Sequence, residues 1–284
     1  MKNNSKDYLA KCVMYDMLVE LDRICTKNKI QYFLVGGTLL GAIRHKGFIP
    51  WDDDIDVGML RDDYEKFVEC CKKDLDGEYW LANAETEEDN PNLYYKMKTH
   101  GTEYIEAISR KSNSSKEIFI DIFPYDASPN NCKVAKFHYD LIHFYRRLLS
   151  FKCKYDFSHN RNIIKRFLNY CLRIFSVFFS KKFLIKKIHH LMTKYNTHNT
   201  NYIVNTSSSY SCEKVRMKKE VFNEYTRVQF ESGLFMAMKD YDGYLKKLYG
   251  DYMKLPPKSK RTSKHSVSKI EINDYKIKKI VSER

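Results

Sequence analysis

Leu9, Val13, Met17 and Leu21 recur four residues apart within positions 5–28, which is the spacing of one apolar stripe on a helix. Tyr32-Phe33-Leu34-Val35 then forms a short β-prone run ending at Gly36-Gly37, where a bare backbone can approach a ligand closely. Residues 38–44 read as one or two helical turns. Over 54–60 polar and apolar residues alternate, as in a strand with one functional face. Asp62 is placed to cap the next helix, with Glu65 completing a capping box. Further β-like runs cover 79–81, 93–99, 102–108 and 117–123. The mixture predicts an α+β (mixed α/β) core over residues 1–127, a mixed sheet with flanking helices. Residues 129–198 change to long, basic, aromatic-rich helices, and 196–211 reads as a polar loop or linker. The remainder, 212–284, is mixed, with a stop at Pro256-Pro257. The expected organisation is a core over 1–127, a basic helical segment over 128–200, and a C-terminal segment over 201–284 packing on the core.

Charge sharpens this picture. The net charge is +14, yet residues 128–212 hold fifteen Lys and Arg against only Asp140 and Asp156, so the rest of the chain is nearly neutral. Within that segment Phe167, Leu168, Leu172, Phe175, Phe178 and Phe179 alternate with basic residues, a pattern compatible with a helix lying on an anionic membrane or with a basic helix packed on its own core. Lys165, Arg166, Arg173, Lys181, Lys182, Lys186 and Lys187 interrupt 163–188, too often for a spanning helix. No specific nucleic-acid motif is present. The N-terminus has no apolar run or cleavage site of a signal peptide. The eight cysteines include no Cys-x-x-Cys and read as free thiols. The expectation is a cytoplasmic protein, peripheral at the inner face of the membrane.

The chemistry concentrates at Trp51-Asp52-Asp53-Asp54-Ile55-Asp56-Val57. Four carboxylates within five residues repel one another unless a cation sits among them. On a strand Asp52, Asp54 and Asp56 share one face while Ile55 and Val57 anchor the other. An oxygen-rich face of this kind suits Mg²⁺ (or Mn²⁺). A calcium-binding EF-hand loop starting at Asp52 fails, because Val57 stands at the glycine position and Asp63 at the bidentate Glu position. Asp121 lies in the otherwise apolar run Ile118-Phe119-Ile120-Asp121-Ile122-Phe123-Pro124, where a lone carboxylate is costly to bury. It is either a hydrogen-bonded core residue or a third carboxylate delivered to the same metal.

The run from Gly36-Gly37 through Arg44-His45-Lys46 to Trp51-Asp52-Asp53-Asp54-Ile55-Asp56 closely resembles the LicD family, which includes the fukutin-related transferases, with a nucleotidyltransferase-type fold. The segments Arg61-Asp62-Asp63-Tyr64-Glu65-Lys66-Phe67, Asp121-Ile122-Phe123-Pro124 and Tyr249-Gly250-Asp251-Tyr252-Met253-Lys254-Leu255-Pro256-Pro257 fit as well. The resemblance implies transfer of phosphocholine, or a related phospho-alcohol, from CDP-choline or another CDP-alcohol to a sugar hydroxyl of a cell-surface glycan or its lipid-linked precursor.

With that chemistry in view, Asp54, Asp56 and Asp121 are the expected metal ligands. Asp121 is the first choice for general base and Asp52 the second. Gly36, Gly37, Thr38, Arg44, His45 and Lys46 are the expected contacts to donor phosphate. Trp51, Tyr94 and Tyr95 lie near the site in sequence and are more in keeping with packing than with a cage for a quaternary ammonium. Two alternatives stay open: transfer of a nucleoside monophosphate on the same fold, and a basic membrane- or nucleic-acid-associated protein without catalysis.

Overall fold

A computed structural model of the chain describes residues 2–156, 163–262 and 267–283. Residues 157–162, within the predicted basic helical stretch, and 263–266 lie outside the described residues.

The long stripe near the N-terminus forms α1 (Lys2–Asn28), whose Val13, Met17, Leu18 and Leu21 are buried. The run before the glycines gives only a two-residue strand, β1 (Phe33–Leu34). Gly36-Gly37 does not precede the next helix but opens it: α2 (Gly36–His45) runs for ten residues. The alternating segment yields β2 (Asp56–Leu60), so the predicted strand over 54–60 starts two residues late and Asp52 to Ile55 approach it as irregular backbone. The chain turns at once into α3 (Arg61–Asp74), which has Leu60 as N-cap and no side-chain cap. The expected capping box at Asp62 is therefore absent, because the helix begins two residues too early. Asp63, in the first turn, instead accepts from the Gln31 N–H at 3.2 Å.

β3 (Tyr79–Ala82), β4 (Tyr95–Thr99) and β5 (Thr102–Glu106) follow, then the ten-residue β6 (Phe119–Ser128). The basic region supplies α4 (Cys132–Lys152), α5 (Ile163–Ser176) and α6 (Lys181–Thr193). The predicted linker contains β7 (Tyr202–Val204), a strand too short to show as a pattern. After it come the single turn α7 (Cys212–Val215), β8 (Arg216–Lys218), the hairpin of β9 (Tyr225–Phe230) and β10 (Gly233–Met238), α8 (Tyr241–Tyr249), β11 (Val267–Ile272) and α9 (Asp274–Glu283).

The main sheet runs β1-β2-β6-β4-β3, with β7 joining β6 and β8 joining β7. Within it β2 and β6 are parallel and the other pairs are antiparallel. β6 is central and buried nearly throughout, which explains its largely apolar sequence. It runs through Pro124, although proline removes a ladder donor. The pairing explains this: β4 reaches only Ile122 and β7 starts at Asp126, so among the described strands residues 123–125 pair with β2 alone. The sheet does not stop at residue 127, since β6 continues into the β7 pairing. A buried bidentate ion pair between Arg61 and Asp126 (2.8 and 2.6 Å) ties the β2–α3 junction to the end of β6.

A second apolar cluster, built on Ile142, Leu149, Leu184, Ile188 and Leu191, joins α4 to α6. No helix among the described residues is long and apolar enough to cross a membrane. Among the described residues the cysteines are all free thiols.

Candidate active site

Asp56 opens β2 in register with Asp121 on the neighbouring parallel β6, so the two carboxylates leave adjacent strands on the same face. The Asp121 N–H also donates to the Ile55 carbonyl at 2.9 Å, and the Asp56 N–H donates to Thr38 Oγ1 at 2.8 Å. Asp52, Asp54, Asp56 and Asp121 all line one cleft of about 240 Å³, together with Gly36 and Gly37. Its carboxylates set it apart from a larger cavity of about 850 Å³ under α5, which carries a single carboxylate, Asp156, among several cations. The tightest grouping is Asp52, Asp53 and Asp54, which bring carboxylate oxygens within 4.8 Å of one another.

Two glycines make the geometry feasible. Gly36 adopts φ +55°, and a Cβ there would stand 3.0 Å from Asp56 Oδ2. A Cβ on Gly37 would sit 2.2 Å from Asp52 Oδ2, closer than real Cβ atoms come. The amide groups opening α2 lack intrahelical acceptors, and the positive end of the helix dipole faces the cleft.

Asp121 has a counter-charge that local sequence does not announce. Lys96 stands opposite it on β4, with Nζ 3.0 Å from Asp121 Oδ1, both side chains almost fully buried. This is an ion pair by distance and not an aligned hydrogen bond. Tyr94 Oη donates to the other oxygen at 3.4 Å. Burial pushes the Asp121 carboxyl above its ordinary range, and Lys96 opposes that shift. Burial also raises the Tyr94 hydroxyl, with the Asp121 charge adding to it.

The other expected phosphate contacts are placed elsewhere. Thr38 is buried and its hydroxyl is engaged by the Asp56 amide, so it organises the strand and does not face the cleft. Arg44, His45 and Lys46 stand at the far end of α2, about 12–15 Å along its axis from Gly36 at 1.5 Å per residue, and none lines the cleft. Arg44 donates to the Tyr252 carbonyl at 2.7 Å and to His45 Nε2 at 3.1 Å. Lys46 is the exposed left-handed cap of the helix, at φ 61°. Of the aromatic candidates only Tyr94 lines the cleft; Trp51 packs edge-on to His45, under Arg261.

The opposite wall comes from two regions: the expected linker, whose sequence carries no functional signal, and α8, whose last residue, Tyr249, opens a segment that fits the family resemblance. The expected linker contributes Asn205, Ser207, Ser208, Ser209 and Tyr210, and α8 contributes Tyr244 and Tyr249. Tyr210 and Tyr249 meet at right angles with centroids 6.0 Å apart. A run of serines reads as linker in any sequence, and only β7, which pins the loop to β6, brings it here.

Known proteins resemble this chain in sequence. Residues 29–160 match the family model described as LicD/FKTN/FKRP, nucleotidyltransferase domain. The lipopolysaccharide cholinephosphotransferase LicD of Haemophilus influenzae is 37% identical over 262 residues, 89% of this chain and 93% of that protein. The chain belongs to the LicD family. It is accordingly an enzyme of the phosphotransferase class. A shorter likeness, 53% identity over 34 residues, links 12% of this LicD-family chain to 7% of the human ribitol 5-phosphate transferase FKRP. Both curated relatives transfer an alcohol-phosphate group by name, and the mixed sheet with flanking helices agrees with the α+β expectation.

Proposed function

We propose that this LicD-family enzyme transfers phosphocholine, or a related phospho-alcohol, from a CDP-linked donor to a sugar hydroxyl of a cell-surface glycan or its lipid-linked precursor. The observation that carries the reading is the register pairing of Asp56 with Asp121, facing Gly36-Gly37 across a cleft that also holds Asp52 and Asp54. The relatives' names support the transferred group and the glycan acceptor.

The donor set is all carboxylate oxygen, which suits a hard divalent cation, Mg²⁺ or Mn²⁺. Asp54, Asp56 and Asp121 are the residues proposed to hold it, with Asp52 close beside Asp54. Such an ion supplies neutralisation of the donor diphosphate and of the charge that grows on the departing CMP. The residues of the chain supply the rest. The glycine pair lets the backbone N–H groups at the start of α2 approach phosphate oxygens without a side chain intervening. Asp121 takes the proton of the acceptor hydroxyl: burial makes it more basic than an exposed carboxylate, while Lys96 keeps it ionised. Asp52 is the alternative base. Tyr210 and Tyr249 offer aromatic faces on the far wall, compatible with the cationic head of choline.

The test is to incubate the purified chain with CDP-choline, CDP-ribitol and CDP-glycerol, a soluble glycan acceptor and Mg²⁺, and to identify the products. Release of CMP with a phospho-alcohol on the glycan is expected. A nucleotidylated acceptor would show instead that the chain transfers a nucleoside monophosphate. Asp54→Asn and Asp56→Asn should each lower kcat by at least about 100-fold, since each removes a metal-binding charge at nearly constant volume. Near-parental rates at saturating Mg²⁺ would remove these residues from the metal site.

A further inference from the structure

α5 is mounted inside out. At 100° per residue Ile163, Ile164, Phe167, Leu168 and Ile174 fall within one arc of about 140°, and with Phe178 just beyond the helix they are 50–79% exposed. The opposite side is the one that meets the body of the protein, and its half-buried or buried members are Asn169, Leu172 and Ser176. The Asn169 amide nitrogen is buried there without a hydrogen-bond partner among the described residues. An amphipathic helix packed for stability does the reverse, covering its apolar arc and leaving polar groups to water. An exposed apolar stripe of this length marks an interaction surface.

Charge decides what covers it. Arg166 and Arg173 lie together beyond one edge of the apolar arc, where with Ile163 and Phe167 they border the open cavity of about 850 Å³ yet stay exposed, and Lys182 and Lys186 are exposed on the adjoining α6. The sequence has no Asp or Glu between Asp156 and Glu213, so a second copy of this face would bring cation against cation. Lys181 is not part of the surface, because its ammonium donates to the Glu87 and Glu88 carbonyls. We infer that α5 is an interfacial membrane helix that sinks its apolar arc into an anionic bilayer surface while Arg166 and Arg173 contact lipid phosphate. The surface is separate from the catalytic cleft, so the inference stands or falls independently of the donor and acceptor proposed above.

The experiment is sedimentation of the full-length chain with vesicles of phosphatidylglycerol and phosphatidylcholine in equal parts, against phosphatidylcholine alone. The parent should bind the anionic vesicles, and binding should weaken as salt is added. Arg166→Glu/Arg173→Glu should bind at least about 25-fold more weakly at low salt, about fivefold for each cation removed. Phe167→Ser/Ile174→Ser should bind weakly at all salt concentrations. As a reading independent of these losses, Phe167→Trp should show blue-shifted emission on anionic vesicles, quenched by brominated acyl chains, beyond any change in the parent. Equal binding to neutral and anionic vesicles, no binding by the parent, an unshifted emission from the introduced tryptophan, or a parent dimer dissolved by Phe167→Ser/Ile174→Ser would each overturn the inference.

Discussion

Asp121 shows how one buried side chain changes meaning once its neighbour is known. Alone in an apolar strand, it reads as a carboxylate whose removal would relieve the metal-free protein of a desolvation cost. With Lys96 at 3.0 Å and equally buried, the sign reverses, because removing one charge leaves the other uncompensated. In EDTA, Asp121→Leu and Lys96→Met should each lower unfolding free energy by about 3–5 kcal/mol, whereas the double variant should recover most of the loss. Urea titration of the four proteins gives the coupling. Additive single losses would mean that the pair is not an interacting unit. Asp52, Asp54 and Asp56 were legible as a group from their spacing alone. Lys96 was not, since β4 pairs with β6 across a long loop and nothing local announces the partner.

At the scale of elements, α4 carries a built-in pH response. His143 faces the Tyr139 ring at 4.3 Å, and burial, helped by Arg146, pushes its imidazole down to about 4. The unfolded chain therefore binds this proton more readily than the folded one below the ordinary histidine value of about 6.5. The stabilisation is fully present above that value and is lost as pH falls towards 4, by up to about 3 kcal/mol at 1.36 kcal/mol per unit. Denaturation midpoints measured through this window should fall for the parent and fall less steeply for His143→Leu. An unchanged slope would assign the acid sensitivity to other groups. The basic helices were visible from periodicity and charge. The short β7 and β8 were not, because three residues carry no period.

At the scale of the whole molecule, the C-terminal strand and helix pack back onto the core. β11 pairs with β5 from Val267–Glu106 to Ile272–Thr102, and α9 delivers Lys276, which donates to Thr99 Oγ1 at 2.8 Å and to the Glu78 carboxylate. β5 carries Tyr104, whose hydroxyl donates to the Asp53 carbonyl at 3.1 Å, so its C-terminal partner strand β11 steadies the acidic loop at one remove. Ending the chain at Thr262 should cost at least about 2 kcal/mol, a fall in Tm of roughly 4–8 °C, and should lower kcat more than it raises KM. A truncated enzyme with the parent's Tm and kcat would show that this strand and helix contribute to neither.

What the sequence determined by itself was whatever local order writes into it: the acidic run, the glycines ahead of it, the helical stripes, and through these the family. What only the tertiary structure decided was which of these residues share a cleft. α2 is a rigid rod, so Gly36 and Gly37 at its start meet the carboxylates while Arg44, His45 and Lys46 at its end do not. The serines after β7 and the tyrosines of α8 reach the same cleft from far along the chain. The outward direction of α5 was equally hidden, because a helical pattern fixes which side is apolar, while packing against α4 fixes which way that side faces.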